Sequence, residues 1–192
     1  MAFEILSIQQ GSEIWHQSRS EKINASEVAS ILGMSKWKTA DNLYLEKTLG
    51  IKEEISFEKQ QLFDKGHLKE KIARELYEGI MKEKYPPAVI RNDKYPFAQA
   101  SLDCLSSSGK VAEIKYLGVD PFLNLFLNQK VPIHYLPQLQ FQICLAEVDQ
   151  LTFIGINEFD QIAYAQVPRD ENFITDMMLK AEMFWEKVKN AR

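Results

Sequence analysis

Ala100-Ser101-Leu102-Asp103, with Glu113-Ile114-Lys115 a short distance downstream, is the stretch that decides how this chain reads. Side chains along a β-strand alternate between its two faces. Glu113 and Lys115 therefore share a face, and Ile114 points into the core. The intervening Ser106-Ser107-Ser108-Gly109 spells a turn. Strands over 96–104 and 110–117 are thus predicted to form a hairpin that brings Asp103 close to Glu113. Two carboxylates and a lysine at one sheet edge suit a divalent metal and phosphodiester hydrolysis. Hard oxygen ligands hold Mg²⁺, or Mn²⁺ as a substitute, and the lysine serves the phosphate or an attacking water. The main-chain carbonyl of Ile114, on the strand beside the metal, is a further ligand in this scheme.

A third acid comes earlier. Gly66-His67-Leu68-Lys69-Glu70 leads into Ile72, Ala73, Leu76, Tyr77 and Ile80, whose spacing predicts a long helix over 59–82. Glu70 borders the apolar face of that helix. The position suits an acid aimed into a cleft between helix and sheet, holding a second metal or a metal-bound water. It equally suits a surface acid paired with Arg74 one turn on.

Trp15 and Arg19 lie one turn apart in a helix predicted over 11–20. Ser26 reads as the N-cap of the next helix, which carries Val28, Ala29, Ile31 and Leu32 and is closed by Gly33. An arginine grips phosphate bidentately, and a helix N-terminus attracts anions. The plainer alternative is a capping serine and a surface charge. Tyr135 and Gln138 lie one turn apart and can line one face of a helix, or can serve the core and a turn. Lys36-Trp37-Lys38 is a small basic-aromatic cluster, suited to DNA or to a solvated loop with one packed tryptophan.

The remaining pattern predicts a helix over 39–49, a mobile polar loop over 51–58, and a break at Tyr85-Pro86-Pro87 before a strand at 88–92. Helices follow at 121–129 and 134–147, then strands at 151–156 and 160–167. A last helix over 170–190 carries the stripe Ile174, Met177, Met178, Ala181, Phe184, Trp185 and Val188, which suits a core face or an interface.

The 192 residues, 45% hydrophobic and 26% charged, suit one globular domain over 1–192 without repeats or a linker. Two cysteines, Cys104 and Cys144, make neither a disulfide framework nor a four-cysteine cluster, which implies a reducing compartment. The start, Met1-Ala2-Phe3-Glu4-Ile5, lacks the basic and apolar runs of a signal peptide. No apolar run reaches membrane-spanning length, so no membrane partner is expected. A net charge of −4 argues against a general nucleic-acid coat protein. It is compatible with a nuclease, whose acids are compensated by bound metal and whose DNA is held by a local basic surface.

Taken in order, Trp15-x3-Arg19, Ile23-Asn24-Ala25-Ser26-Glu27, Ile31-Leu32-Gly33, Gly66-x3-Glu70, Ala73-Arg74, Ala100-Ser101-Leu102-Asp103, Glu113-Ile114-Lys115 and Tyr135-x2-Gln138-x-Gln140 form a longer pattern. Over roughly residues 11–160 the chain resembles the lambda exonuclease and YqaJ-type viral recombinases of the PD-(D/E)xK nuclease superfamily. Cys104 departs from the glycine common after the Asp, and Pro137 departs just before Gln138. The resemblance implies an α/β (α+β) fold with a restriction-endonuclease-like core, a central mixed sheet flanked by helices. It implies a Mg²⁺-dependent 5′-to-3′ exonuclease on linear double-stranded DNA that leaves 3′ overhangs for recombination. Catalysis then falls to Glu70, Asp103, Glu113 and Lys115, with DNA or its 5′-phosphate held by Arg19, Ser26, Ser101, Tyr135 and Gln138. It further implies a ring-shaped homotrimer around DNA, a single-strand annealing protein as partner, and a phage or prophage origin with action in the bacterial cytoplasm. The alternatives are an endonuclease of the same superfamily and a non-catalytic DNA- or partner-binding domain.

Overall fold

In the computed structural model, which describes residues 3–51 and 56–192, two four-stranded mixed sheets meet at Asp103. The first comprises β1 (Glu4–Leu6), β2 (Ile23–Asn24), β3 (Ala88–Arg91) and β4 (Ala98–Leu102), in the spatial order β1-β3-β4-β2. The second comprises β5 (Cys104–Leu105), β6 (Val111–Tyr116), β7 (Gln150–Ile156) and β8 (Ile162–Pro168), side by side in chain order. The helices are α1 (Glu13–Ser20), α2 (Val28–Ile31), α3 (Ala40–Leu49), α4 (Phe57–Met81), α5 (Val119–Asn128), α6 (Leu136–Ala146) and α7 (Glu171–Asn190). Residues 52–55 of the polar stretch expected as a loop lie outside the described residues; α4 starts at Phe57, two residues before its expected start.

The expected single strand over 96–104 is two strands. The Oδ2 of Asp103 takes the N–H of Ile114 at 2.8 Å. Asp103 stands between two ladders: β4 pairs with β2 and β3 as far as Leu102, and β5 pairs with β6 from Cys104↔Ala112. The hairpin itself is present, turned at Gly109, whose φ of +84° favours glycine. Strand β6 runs parallel to β7, and β7 antiparallel to β8. Leu151, Phe153, Ile154 and Ile156 are all buried, so β7 is covered on both faces. Strand β8 alternates buried and exposed residues, as a one-sided strand does.

Helix ends follow their caps. Ser12, Thr39 and Asp170 accept main-chain N–H groups at the starts of α1, α3 and α7. Ser26 is not a cap. It lies inside a 3-10 turn, Ala25–Glu27, and Asn24 holds the cap position, its N–H bonded to Glu27 Oε2 at 2.9 Å. Ser26 is left exposed. Pro137 falls in the first turn of α6, where a missing N–H costs nothing. That helix is buried almost all round and fills the space between the sheets and α7. The α7 stripe is core: Ile174, Met177, Met178, Ala181, Trp185 and Val188 are buried, with Phe184 packed beside them. Strands β1 and β2 were not expected; each is too short to show an alternating pattern. Among the described residues, no helix is long and apolar enough to cross a membrane.

Candidate active site

The break between β4 and β5 places Asp103 beside the middle of β6. Glu113 and Lys115 share a face there, as the strand period requires, and their side chains are ion-paired. Ile114, between them, is 3% exposed and packs in the core. Glu113 is 1% exposed, so its charge must be met by protein. Besides Lys115, it accepts from Gln138 Nε2 on one oxygen and from Gln142 Nε2 on the other, the latter at 2.7 Å. Gln142 Nε2 also reaches the carbonyl of Ser101 at 3.2 Å, while its own Oε1 is buried without a partner.

For Glu70 the structure shows the pairing of the second reading. Its carboxylate is paired with Arg74 one turn on, as for a surface acid. Arg74 Nε in turn donates to the carbonyl of Asp103 at 3.0 Å, which ties α4 to the sheet break. Burial pushes the Asp103 carboxyl well above the usual carboxylate range, and the negative charges of Glu113 and then Glu70 push it further. Lys115 and the Ile114 N–H act the other way. For Lys115, burial alone would lower the ammonium, but Glu113 and Asp103 override it and hold the group above its ordinary value.

Among the described residues, no three His, Cys, Asp or Glu side chains stand arranged to hold a metal ion. The carboxylates are turned instead to Lys115, Arg74 and the glutamine amides. The donor chemistry nonetheless fits a hard divalent cation. The donors are all oxygen, without sulfur or imidazole, and the crowding of three acids shown by the raised Asp103 is what such a cation relieves.

A second polar cluster adjoins the first. Arg19 Nη2 donates to Ser26 Oγ at 3.2 Å, so the two residues singled out for phosphate do meet. The Arg19 guanidinium lies over the Trp15 ring, 4.6 Å from its centroid, and Trp15 Nε1 donates to Ser101 Oγ at 2.9 Å. Ser26, Arg19, Trp15 and Ser101 therefore form a continuous path ending two residues from Asp103. Behind Arg19, Glu27 lies 3.6 Å away and also binds the buried Lys47 at 2.9 Å. Lys47 donates to the carbonyls of Arg19 and Lys22 at 2.7 and 2.8 Å, fixing the end of α1. Burial lowers the Lys47 ammonium, with Glu27 opposing.

Tyr135 sits with its ring 5.8 Å from Lys115 Nζ and 5.6 Å from Phe153. Gln140, the second glutamine of the sequence pattern, faces away. It bonds Pro168 O at 2.8 Å and the N–H of Asp170 at 3.0 Å, joining β8 to α7. The glutamine that joins Gln138 at Glu113 is Gln142, which the sequence reading missed. Its spacing of one helical turn from Gln138 was the available signal. Cys104 is buried, and burial, followed by the charge of Asp103, raises its thiol.

The chain is 28% identical over 180 residues to the uncharacterized protein YqaJ of Bacillus subtilis, an alignment covering 89% of this chain and 54% of that protein. The chain thus spans about half the length of the curated relative it matches. Among solved structures, an alkaline exonuclease from Laribacter hongkongensis superposes with a TM-score of 0.76 at 20% identity, covering 93% of both chains. A phage-related exonuclease from Haemophilus somnus 129PT superposes with a TM-score of 0.64 at 16% identity, covering 88% of this chain and 95% of that one. The fold is therefore that of the alkaline exonucleases. The model of the YqaJ-like viral recombinase domain matches residues 14–149, and the chain belongs to that family.

Proposed function

We propose that the protein is a Mg²⁺-dependent deoxyribonuclease that digests linear double-stranded DNA from its 5′ ends and leaves 3′ overhangs. One observation carries this reading: Asp103, Glu113 and Lys115 converge on one point of the sheet, and the Arg19–Ser26 pair joins it through Trp15 and Ser101. Asp103, Glu113 and the carbonyl of Ile114 would hold the cation, Mg²⁺ or in its place Mn²⁺, with Glu70 serving a second ion or a bound water. When bound, the cation neutralises charge on the scissile phosphate and makes water a stronger nucleophile. Lys115, as an ammonium, orients the attacking water and stabilises the charge that develops on phosphorus oxygens. Gln138 and Gln142 hold the Glu113 carboxylate in place, and Tyr135 borders the DNA backbone.

Arg19 and Ser26, with Ser101, grip the terminal 5′-phosphate. A pocket for a terminal phosphate serves an exonuclease and has no purpose in an endonuclease, which is why the former is preferred. The complete acid–acid–lysine set speaks against a non-catalytic binding domain. Assembly into a ring around DNA, an annealing protein as partner, and action in the cytoplasm of a phage-bearing bacterium belong to the same proposal. The exposed apolar residues Val119, Phe126, Leu127 and Ile133 on and after α5 offer surface for such contacts.

The deciding experiment is digestion of linear and closed circular duplex DNA with and without Mg²⁺. Mg²⁺-dependent loss of linear DNA, with circles spared, is expected. Efficient cleavage of circles would replace the exonuclease with an endonuclease, and no cleavage of either would leave a binding domain.

A further inference from the structure

The Lys36-Trp37-Lys38 segment is not used by the chemistry above, yet it lies next to it. Trp37 is 58% exposed, unusual for so large an apolar ring. It is nonetheless fixed. Its main-chain N–H and that of Lys38 both bond Ser35 Oγ at 3.2 Å, and Lys38 is ion-paired to Glu46 on α3. One side of the indole meets the edge of His134, centroids 5.2 Å apart and planes at 70°. It also lies roughly parallel to Tyr135, 6.1 Å away at 28°. Tyr135 is the ring whose centroid lies 5.8 Å from Lys115 Nζ. The rings thus form a ladder from the catalytic lysine out to solvent, and its last rung is open.

We infer that Trp37 is a stacking platform for an unpaired nucleobase of the strand being cleaved, one or two nucleotides from the scissile phosphate. The inference rests on the nuclease reading of the Asp103–Glu113–Lys115 centre. A rigid, pre-positioned indole offers its face at little entropic cost. Every base has a π-face, so such a rung accepts any sequence, as a processive nuclease requires. Lys36 is exposed beside it and can meet the phosphate of the stacked nucleotide. Burial, and then the charge of Lys36, lowers the pKa of His134, the ring that meets Trp37.

The test uses duplex oligonucleotides carrying 2-aminopurine at the second nucleotide from the 5′ end or at the duplex centre, with Ca²⁺ in place of Mg²⁺. Wild-type protein should quench the end-positioned probe and leave the central one unchanged. Trp37→Ala should lose that quenching and bind about ten-fold more weakly, while Trp37→Phe should keep most of both. With Mg²⁺, hydrolysis of bis(p-nitrophenyl) phosphate, a diester without a base, reads the catalytic centre apart from the platform. Quenching and affinity of Trp37→Ala within two-fold of wild type would overturn the platform, as would absence of quenching by the wild type. Failure of every form to hydrolyse the ester or DNA, with the quenching pattern intact, would instead overturn the nuclease reading and leave the platform standing.

Discussion

The carboxylate of Asp103 accepts the main-chain N–H of Ile114 at 2.8 Å. This one bond spans the point where β4 gives way to β5, and sets an acid at the end of one sheet against the acid and lysine of the other. The same bond partly offsets what burial, Glu113 and Glu70 cost the Asp103 carboxylate.

That cost is measurable as a pH dependence. The folded Asp103 carboxyl holds its proton to higher pH than the unfolded one, because of burial and then of Glu113 and Glu70. Between the two pKa values the folded chain binds more protons than the unfolded chain. The contribution of Asp103 to the stability of the metal-free protein therefore falls as pH rises above about 4. Asp103→Asn removes the charge and can still accept from Ile114. In EDTA at pH 8 it should melt higher than wild type, by about 2–4 °C for each kcal/mol removed. Its melting point should also change less between pH 5 and pH 8. The same variant should be inactive with Mg²⁺; parallel melting curves and near-normal cleavage would reject the assignment.

Lys115→Ala should keep metal binding and lose rate, on the order of 10²-fold or more, as for loss of one preorganised charge. Calorimetric titration with Mg²⁺ beside single-turnover cleavage separates the two effects. Lost binding with normal turnover at high Mg²⁺ would make Lys115 structural.

Gln142 gives a prediction the sequence reading did not. Truncation to Ala leaves one oxygen of the buried Glu113 without its donor. The cost to stability should be about 1–3 kcal/mol, and kcat should fall about ten-fold with KM for DNA little changed. Denaturant unfolding and steady-state kinetics check this; a rise in KM with kcat intact would place Gln142 on the DNA instead.

Arg19→Ala should slow digestion of 5′-phosphorylated duplex far more than of 5′-hydroxyl duplex. A charged hydrogen-bonded contact contributes roughly 1.5–3 kcal/mol, about ten- to hundred-fold. Equal slowing of both substrates would mean that Arg19 holds the DNA backbone or the fold.

Gly155 tests the core behind the site. A Cβ there would stand 2.6 Å from Leu117 Cδ1 and 2.7 Å from Leu125 Cδ2, so Gly155→Ala overpacks the contact of β7 with α5. A loss of about 1–3 kcal/mol is expected in urea unfolding, with the cleavage rate per folded molecule unchanged.

Local order was legible in the sequence because it is local physics. The alternation of Glu113, Ile114 and Lys115, the serine-glycine turn, the stripe of α7 and the apolar run of β7 each follow from side-chain periodicity, which neighbours in the chain determine by themselves. These elements, and the meeting of Asp103 with Glu113 across a hairpin, needed no tertiary information. Tertiary structure decided what depends on groups distant in sequence. Asn24 rather than Ser26 holds the cap position, and Glu27, which Arg19 and Lys47 also hold, accepts its N–H. Gln142 rather than Gln140 faces Glu113 because the rotation of α6 is set by burial on all sides, not by its own polarity. The path from Ser26 through Arg19 and Trp15 to Ser101 spans segments more than eighty residues apart in the chain. Only packing of α1 against β4 closes it, since hydrogen bonds between distant segments leave no periodic trace in a sequence.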